Sequence, residues 1–127
     1  MIAATAIRPQ LELVLSSGKY GFEARAIEVD GEITVLAGSR ATAKSDFSEN
    51  TYSSLRDQLI KDGRLVASSD PNFLEFVEDL TFPSPSAAAA VITNRSTNGR
   101  TSWRVARTGQ TLKEWQDAQL SGVKEAD

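Results

Sequence analysis

Apolar residues run together from Leu11 to Leu15. From Tyr20 to Val29 they alternate, with Tyr20, Phe22, Ala24 and Ala26 on one face and Gly21, Glu23 and Arg25 on the other. A period of two marks a half-buried strand. Asp30-Gly31 follows, a pair suited to a type I′ turn, whose two central residues both need positive φ. Glu32 to Ala37, with Ile33, Val35 and Leu36, reads as the return strand. With a turn at Ser16-Ser17-Gly18, residues 11–37 predict a three-stranded antiparallel meander. Gly38 to Asn50 is small and polar and reads as a loop.

The period then changes. Tyr52, Leu55, Leu59 and Ile60 form one stripe of a helix running to Lys61, capped by Asn50 or Thr51 and stopped by Asp62-Gly63. Leu65 to Ala67 predicts a short strand, Asp70-Pro71-Asn72 a turn, and Phe73 to Phe82 another strand, with Leu74, Phe76, Leu80 and Phe82 at even spacings. Ser84-Pro85 opens a second helix reaching about Asn94. Ser84 is a suitable N-cap, proline loses nothing at the first helical position, and Ala87 to Ala90 permit close packing on a sheet. Asn98-Gly99 reads as a hairpin-type turn and Trp103 to Ala106 as a short strand. Thr108-Gly109 turns into a third helix, which starts at the capping box Thr111 to Glu114 with Leu112 and Trp115 as anchors. Ser121 to Asp127 reads as a frayed tail. This order predicts an α+β fold: a mostly antiparallel sheet with about three short helices packed on it, in one domain over residues 1–127.

Composition narrows the chemistry. There is no cysteine and no histidine. Disulfides, thiolate nucleophiles, Cys-based zinc sites and every Ser-His-Asp or Cys-His arrangement are therefore impossible within the chain. No secretory leader or membrane-spanning apolar run is evident, so the expected location is cytoplasmic, with no membrane partner. The net charge is −3, but its distribution is uneven. Between Leu80 and Lys113 there is no acidic residue and there are five basic ones, Arg95, Arg100, Arg104, Arg107 and Lys113. The chain's −3 less that segment's +5 leaves −8 elsewhere. Such asymmetry points either to an anionic partner or to arginines that pair with carboxylates of the same fold.

The candidate surface runs from Ser84 to Arg104. The helix start offers free N–H groups with the Ser84 and Ser86 hydroxyls, suited to phosphate, or serves simply as a cap. Arg95, Ser96, Asn98 and Arg100 share one polar loop. Arginine forks suit phosphate and guanine edges and asparagine suits adenine edges, while the plain reading is a polar turn. Arg104 adds a further guanidinium. Trp103 offers a stacking ring, although a core position suits it better. Glu75, Glu78 and Asp79 form the one dense acidic cluster; charge on a strand edge explains it better than Mg²⁺. Gly38-Ser39-Arg40 lacks a Walker-type context, and nothing supports acid–base work by Lys19 and Tyr20. Neither a catalytic residue, a metal site nor a cofactor is expected.

Three blocks carry a family resemblance: Val35-Leu-Ala-Gly-Ser39, Leu59-Ile-Lys-Asp-Gly63, and Phe76-Val-Glu-Asp79 leading through Phe82-Pro-Ser-Pro-Ser-Ala-Ala-Ala89 to Asn94-Arg-Ser-Thr-Asn-Gly99, Trp103 and Thr111-Leu112. Over roughly residues 20–117 the chain resembles the domain of unknown function 4357 family, found at the C-terminus of some GIY-YIG nuclease proteins. The third block is also similar to the restriction-and-adenine-methylase-associated domain, thought to read modified DNA. Arg100 stands where a bulky residue, usually Trp, is common, and Asn94 where Gly is usual. The resemblance implies a non-catalytic accessory module that binds DNA or RNA. The alternative is a protein–protein adaptor beside a nuclease or methylase. No nuclease activity is implied.

Overall fold

The structure is a computed structural model and describes residues 10–17, 22–43, 52–95 and 97–125, residues 121–125 by backbone alone. Gly18, Lys19, Tyr20, Gly21, the expected caps Asn50 and Thr51, and Ser96 lie outside the described residues. The strands are β1 (Leu11–Ser17), β2 (Phe22–Val29), β3 (Glu32–Val35), β4 (Arg40–Thr42), β5 (Leu65–Ala67), β6 (Phe73–Phe76), β7 (Leu80–Phe82) and β8 (Arg104–Val105). The helices are α1 (Ser53–Lys61), α2 (Pro85–Thr93), α3 (Gly99–Ser102) and α4 (Leu112–Glu125). The fold is α+β, with every described strand pairing antiparallel. None of the described helices is long and apolar enough to cross a membrane.

The sheet runs in the order β5-β6-β4-β2-β1-β8, and β3 and β7 pair with each other beside β2. Asp30 and Gly31 take φ of 54° and 89°, the left-handed pair that the β2–β3 turn requires. One edge of β2 is occupied by β1, so β3 and β4 share the other. They form one strand broken by a bulge. Three steps on β2, from Glu23 to Ala26, face five steps on the other strand, from Val35 to Arg40. The polar stretch expected as a loop from Gly38 thus contains β4. A period-two reading misses it because a side chain stands in for backbone pairing at the bulge just before it. Ser39 Oγ accepts from Arg25 N at 3.0 Å and lies 3.3 Å from Arg25 O, to which it donates. The strand expected from Phe73 to Phe82 breaks alongside, at Val77 to Asp79, so β6 and β7 follow the bulge.

Leu11, Leu13, Leu15, Phe22, Ala24, Ala26, Ile33, Val35, Phe76, Leu80 and Phe82 line the covered face of the sheet. Helix α2 lies in its middle, touching β2, β3, β4 and β7, and every residue from Ala87 to Thr93 is buried. The alanines let its backbone approach the strands. A single buried cation holds α1 to it. Arg56, 5% exposed, donates to Val91 O at 2.6 Å and to Thr42 O at 2.7 Å. Val91 is one of the last four residues of α2, whose carbonyls find no partner within the helix. Burial holds the Arg56 guanidinium below the ordinary arginine value, with Asp57 acting the other way. The stripe expected on α1 is correspondingly shifted. Leu59 is buried and Tyr52 and Leu55 half-buried, but Ile60 is 42% exposed. Helix α1 ends in a Schellman motif, in which Gly63 N donates to Ile60 O and Arg64 N to Leu59 O.

Asn98-Gly99 is not a hairpin turn. Asn98 Oδ1 accepts from Arg100 N at 3.0 Å and caps α3. Gly99 lies against the Pro85-Ser86 backbone, where an added Cβ would overlap Pro85 C and O and Ser86 N. The capping box of α4 forms as expected, with Glu114 N donating to Thr111 Oγ1 at 3.1 Å and Thr111 N to Glu114 Oε1 at 2.9 Å. The helix continues through Glu125, where a frayed tail was expected from Ser121.

Three stability effects follow. Arg56→Ala removes the buried donor shared by Val91 O and Thr42 O and costs about 3 kcal/mol or more in urea unfolding, while Arg56→Lys restores part of this. Gly99→Ala costs about 3 kcal/mol, because the obstruction is backbone and cannot rotate away. Contacts with the Thr111 main chain, then its side chain, hold Glu114 below the ordinary glutamate value of 4.5. Its capping contribution is therefore full above that value and is lost as pH falls through the lowered one. An NMR titration of the Thr111 amide shows this transition, and Glu114→Ala abolishes it.

Candidate nucleic-acid interface

The start of α2 is used by the fold itself. Ser84 Oγ accepts from Ala87 N at 3.1 Å, and Ser86 Oγ accepts from Gly99 N at 2.9 Å. Trp103 is 0% exposed, and its Nε1 donates to Pro85 O at 3.1 Å. The ring therefore occupies the core position that suited it better and cannot stack on a base. Helix α3 lies over the first turn of α2, where a phosphate was expected to sit.

The arginines of this segment do not gather on one surface. Arg95 follows the C-cap Asn94 at the far end of α2, a nine-residue helix about 13 Å long. Arg100 sits over the near end. Its Nε donates to Gln116 Oε1 at 2.7 Å, and a terminal nitrogen lies 3.8 Å from Asp117 Oδ1. Asp117 is held below the ordinary aspartate value by its bond with Lys113 first, and by the charge of Arg100 last. Asn98 is exposed beside Arg100. Arg104 alternates with buried Trp103 and Val105 and so points to the opposite side of the sheet, where it donates to Gly109 O at 2.8 Å. Of the expected set, Asn98 and Arg100 lie together, and Arg95 and Arg104 lie elsewhere.

The acidic cluster is also divided among structural partners. Glu78 lies 3.9 Å from Arg64, Asp79 Oδ1 accepts from Ala37 N at 2.8 Å, and Glu75 stands in register between Arg40 and Val66. The described residues contain no cluster of three or more groups able to hold a metal ion.

The uncovered face of the sheet presents a different set. Opposite the core positions it carries Glu12, Val14, Ser16, Glu23, Arg25, Ile27, Thr34, Arg40, Phe73, Glu75, Thr81 and Arg104. Val14 is flanked in register by Arg25 on β2 and Arg104 on β8. At the bulge this face opens into a groove of about 470 Å³, lined by Glu23, Arg25, Leu36, Ala37, Gly38, Ser39 and Arg40. Arg40 stands directly opposite Glu23 and Glu75, the usual arrangement for a cross-strand ion pair. It instead stacks over Phe73, 5.2 Å from the ring centroid. Among the described residues, neither Arg25 nor Arg40 has a carboxylate within ion-pair distance.

The N–H groups of the turn are satisfied internally. Gly38 N donates to Phe76 O, Phe76 N to Ser39 O, and Leu36 N to Arg25 O. Gly38 takes φ of 89°, which favours glycine there. Two of the blocks that carried the resemblance, Val35 to Ser39 and Phe76 to Asp79, meet at this point. The end of the second, at Gly63, leads into Arg64, whose carbonyl accepts from Val77 N. Arg25 and Arg40 were not singled out from the sequence, where Arg25 read as one polar position on a strand and Arg40 as part of a loop. The available signal was the small polar run Ala37-Gly38-Ser39 interrupting an alternating pattern.

The profile of the family described as "Domain of unknown function (DUF4357)" matches residues 13–116. That span takes in β2 to β8, most of β1, helices α1 to α3 and the start of α4. Comparison with curated proteins and with solved structures finds no match. With most of its length matched, including the broken strands and the turn at the groove, the chain belongs to the DUF4357 family of domains of unknown function.

Proposed function

We propose that this chain is a non-catalytic accessory module that binds DNA or RNA across the uncovered face of its sheet, beside a nuclease or methylase protein. The observation that carries this reading is the state of Arg25 and Arg40. Both flank an open groove and, among the described residues, neither is neutralised by a carboxylate contact. Arg104 extends the series, two strands or about 10 Å from Arg25. Arginine forks are suited to phosphate oxygens, and phosphate contacts supply the sequence-independent part of nucleic-acid affinity. This surface replaces the α2 start, where Ser84 caps α2 itself and Ser86 Oγ accepts from Gly99 N of α3.

A second reading, a protein–protein adaptor, is favoured by the carboxylates Glu12, Glu23 and Glu75, which alternate with the arginines on the same face, and by the net charge of −3. A mixed-sign surface suits a partner of complementary pattern. A partner that survives nuclease treatment in a pull-down from the native host would favour the adaptor.

The deciding experiment is fluorescence anisotropy with single- and double-stranded oligonucleotides, with and without N6-methyladenine, over a range of salt. Affinity should fall linearly on logarithmic axes, and Arg25→Ala, Arg40→Ala and Arg104→Ala should each flatten the slope by about one unit. Arg100→Ala, removed from that face, should leave the slope unchanged. An absence of salt-sensitive binding to all of these oligonucleotides would reject the proposal.

A further inference from the structure

We infer that the groove at the bulge is a site for one unpaired nucleotide whose base carries an exocyclic amino group. This rests on the nucleic-acid reading for its ligand class and goes beyond it in naming a discrete pocket. At about 470 Å³ the groove falls within the size range of small-molecule sites, about 300–1,000 Å³. A phosphate on a flat sheet needs no such depression; a whole nucleotide does.

The lining divides into three parts by chemistry. Arg25 and Arg40 supply donors for a phosphate. Phe73 holds the Arg40 guanidinium over its ring. Leu36, half-buried, with Ala37 and Gly38 gives an apolar wall for a base, and Gly38 lets the ligand approach the backbone closely. Glu23 supplies the acceptor. It lies in register with Arg40 and two residues from Arg25 on the same face, yet no cation among the described residues is within ion-pair distance of it. A carboxylate facing a base edge accepts from an amino group such as cytosine N4 and repels a carbonyl such as uracil O4. Opposite charges held apart across a groove match a ligand that carries both an anion and a donor edge. The turn's N–H groups, from Leu36 to Ser39, are already bonded, so contact with a phosphate falls to the arginine side chains.

The test compares cytidine 5′-monophosphate with uridine 5′-monophosphate, which share a shape and differ at the pyrimidine edge. Binding is read by calorimetry and by the amide shifts of residues 23–25 and 36–40. The cytidine nucleotide should bind at least about tenfold more tightly than the uridine nucleotide. Cytidine without its phosphate should bind about tenfold more weakly than the nucleotide, as should the nucleotide to Arg25→Ala or Arg40→Ala. Glu23→Gln, an exposed substitution that keeps the fold, should erase or reverse the cytidine preference, since its amide donates to O4. Equal affinity for both nucleotides, or a preference unchanged in Glu23→Gln, overturns the inference. Salt-sensitive oligonucleotide binding without mononucleotide binding also overturns it while leaving the broader reading intact. Mononucleotide binding with this preference but no oligonucleotide binding supports the site and rejects the broader reading.

Discussion

One buried guanidinium ties the layers of this protein together. Helix α2 is enclosed on almost every side, so the carbonyls of its last turn cannot turn to water. Unsatisfied, each would carry a desolvation penalty comparable to a lost hydrogen bond. Arg56 meets one of them and the end of β4 at once. It does so without a carboxylate, its charge answered by backbone dipoles at a helix C-terminus, where a cation is favoured. Position, orientation and depth of α2 all follow from that fork, because two carbonyls from two elements must face one planar group. The opposite end of α2 is fixed just as tightly. Gly99 touches the Pro85-Ser86 backbone and the Trp103 indole donates to Pro85 O, so α3 sits on the first turn with no space between.

With both ends of α2 enclosed, the proposed binding surface is the other side of the sheet. There the decisive constraint is the double break. β3/β4 gains residues against β2, and β6/β7 follows it in register. The two extra residues bring Arg40, in place of Gly38, into register with Glu23 and Glu75, where an ion-pair row across the sheet would be usual. Its guanidinium lies instead over Phe73, beside the groove that opens at the bulge. Ser39 and Asp79 replace the missing ladder bonds with side-chain oxygens, so the irregularity leaves few main-chain groups unanswered.

Local chemistry was readable wherever a residue acts on its near neighbours. Asp30-Gly31, Ser84-Pro85, Gly63 and the Thr111–Glu114 box each did what their stereochemistry requires, and the strands between Leu11 and Val35 followed from the apolar run at Leu11 to Leu15 and the alternation after it. Non-local contacts were the limit. Arg56 reads as a surface residue because arginine nearly always is one; only the packing of α1 against α2 and β4 reveals its burial. Asn98-Gly99 suits a hairpin and a helix cap equally, and the contact with Pro85, thirteen or more positions away, decides between them. The arginines of the uncovered face lie at positions 25, 40 and 104, so no window of sequence contains them. The crowded run at Arg95 to Arg104 drew attention by composition, yet folding sends its members in different directions.

The way Ser39 is bonded has a bearing on how this family can diversify. Its hydroxyl engages the main chain of Arg25 and ignores the side chain. The frame of the turn is thus indifferent to which residue stands at position 25, and Glu23 and Arg40 likewise contribute only main chain to the ladder. Relatives sharing this backbone are free to exchange all three side chains without disturbing the architecture beneath. Scaffold and surface chemistry are separable here, so under the proposed binding role a different ligand preference would be reachable in single mutational steps.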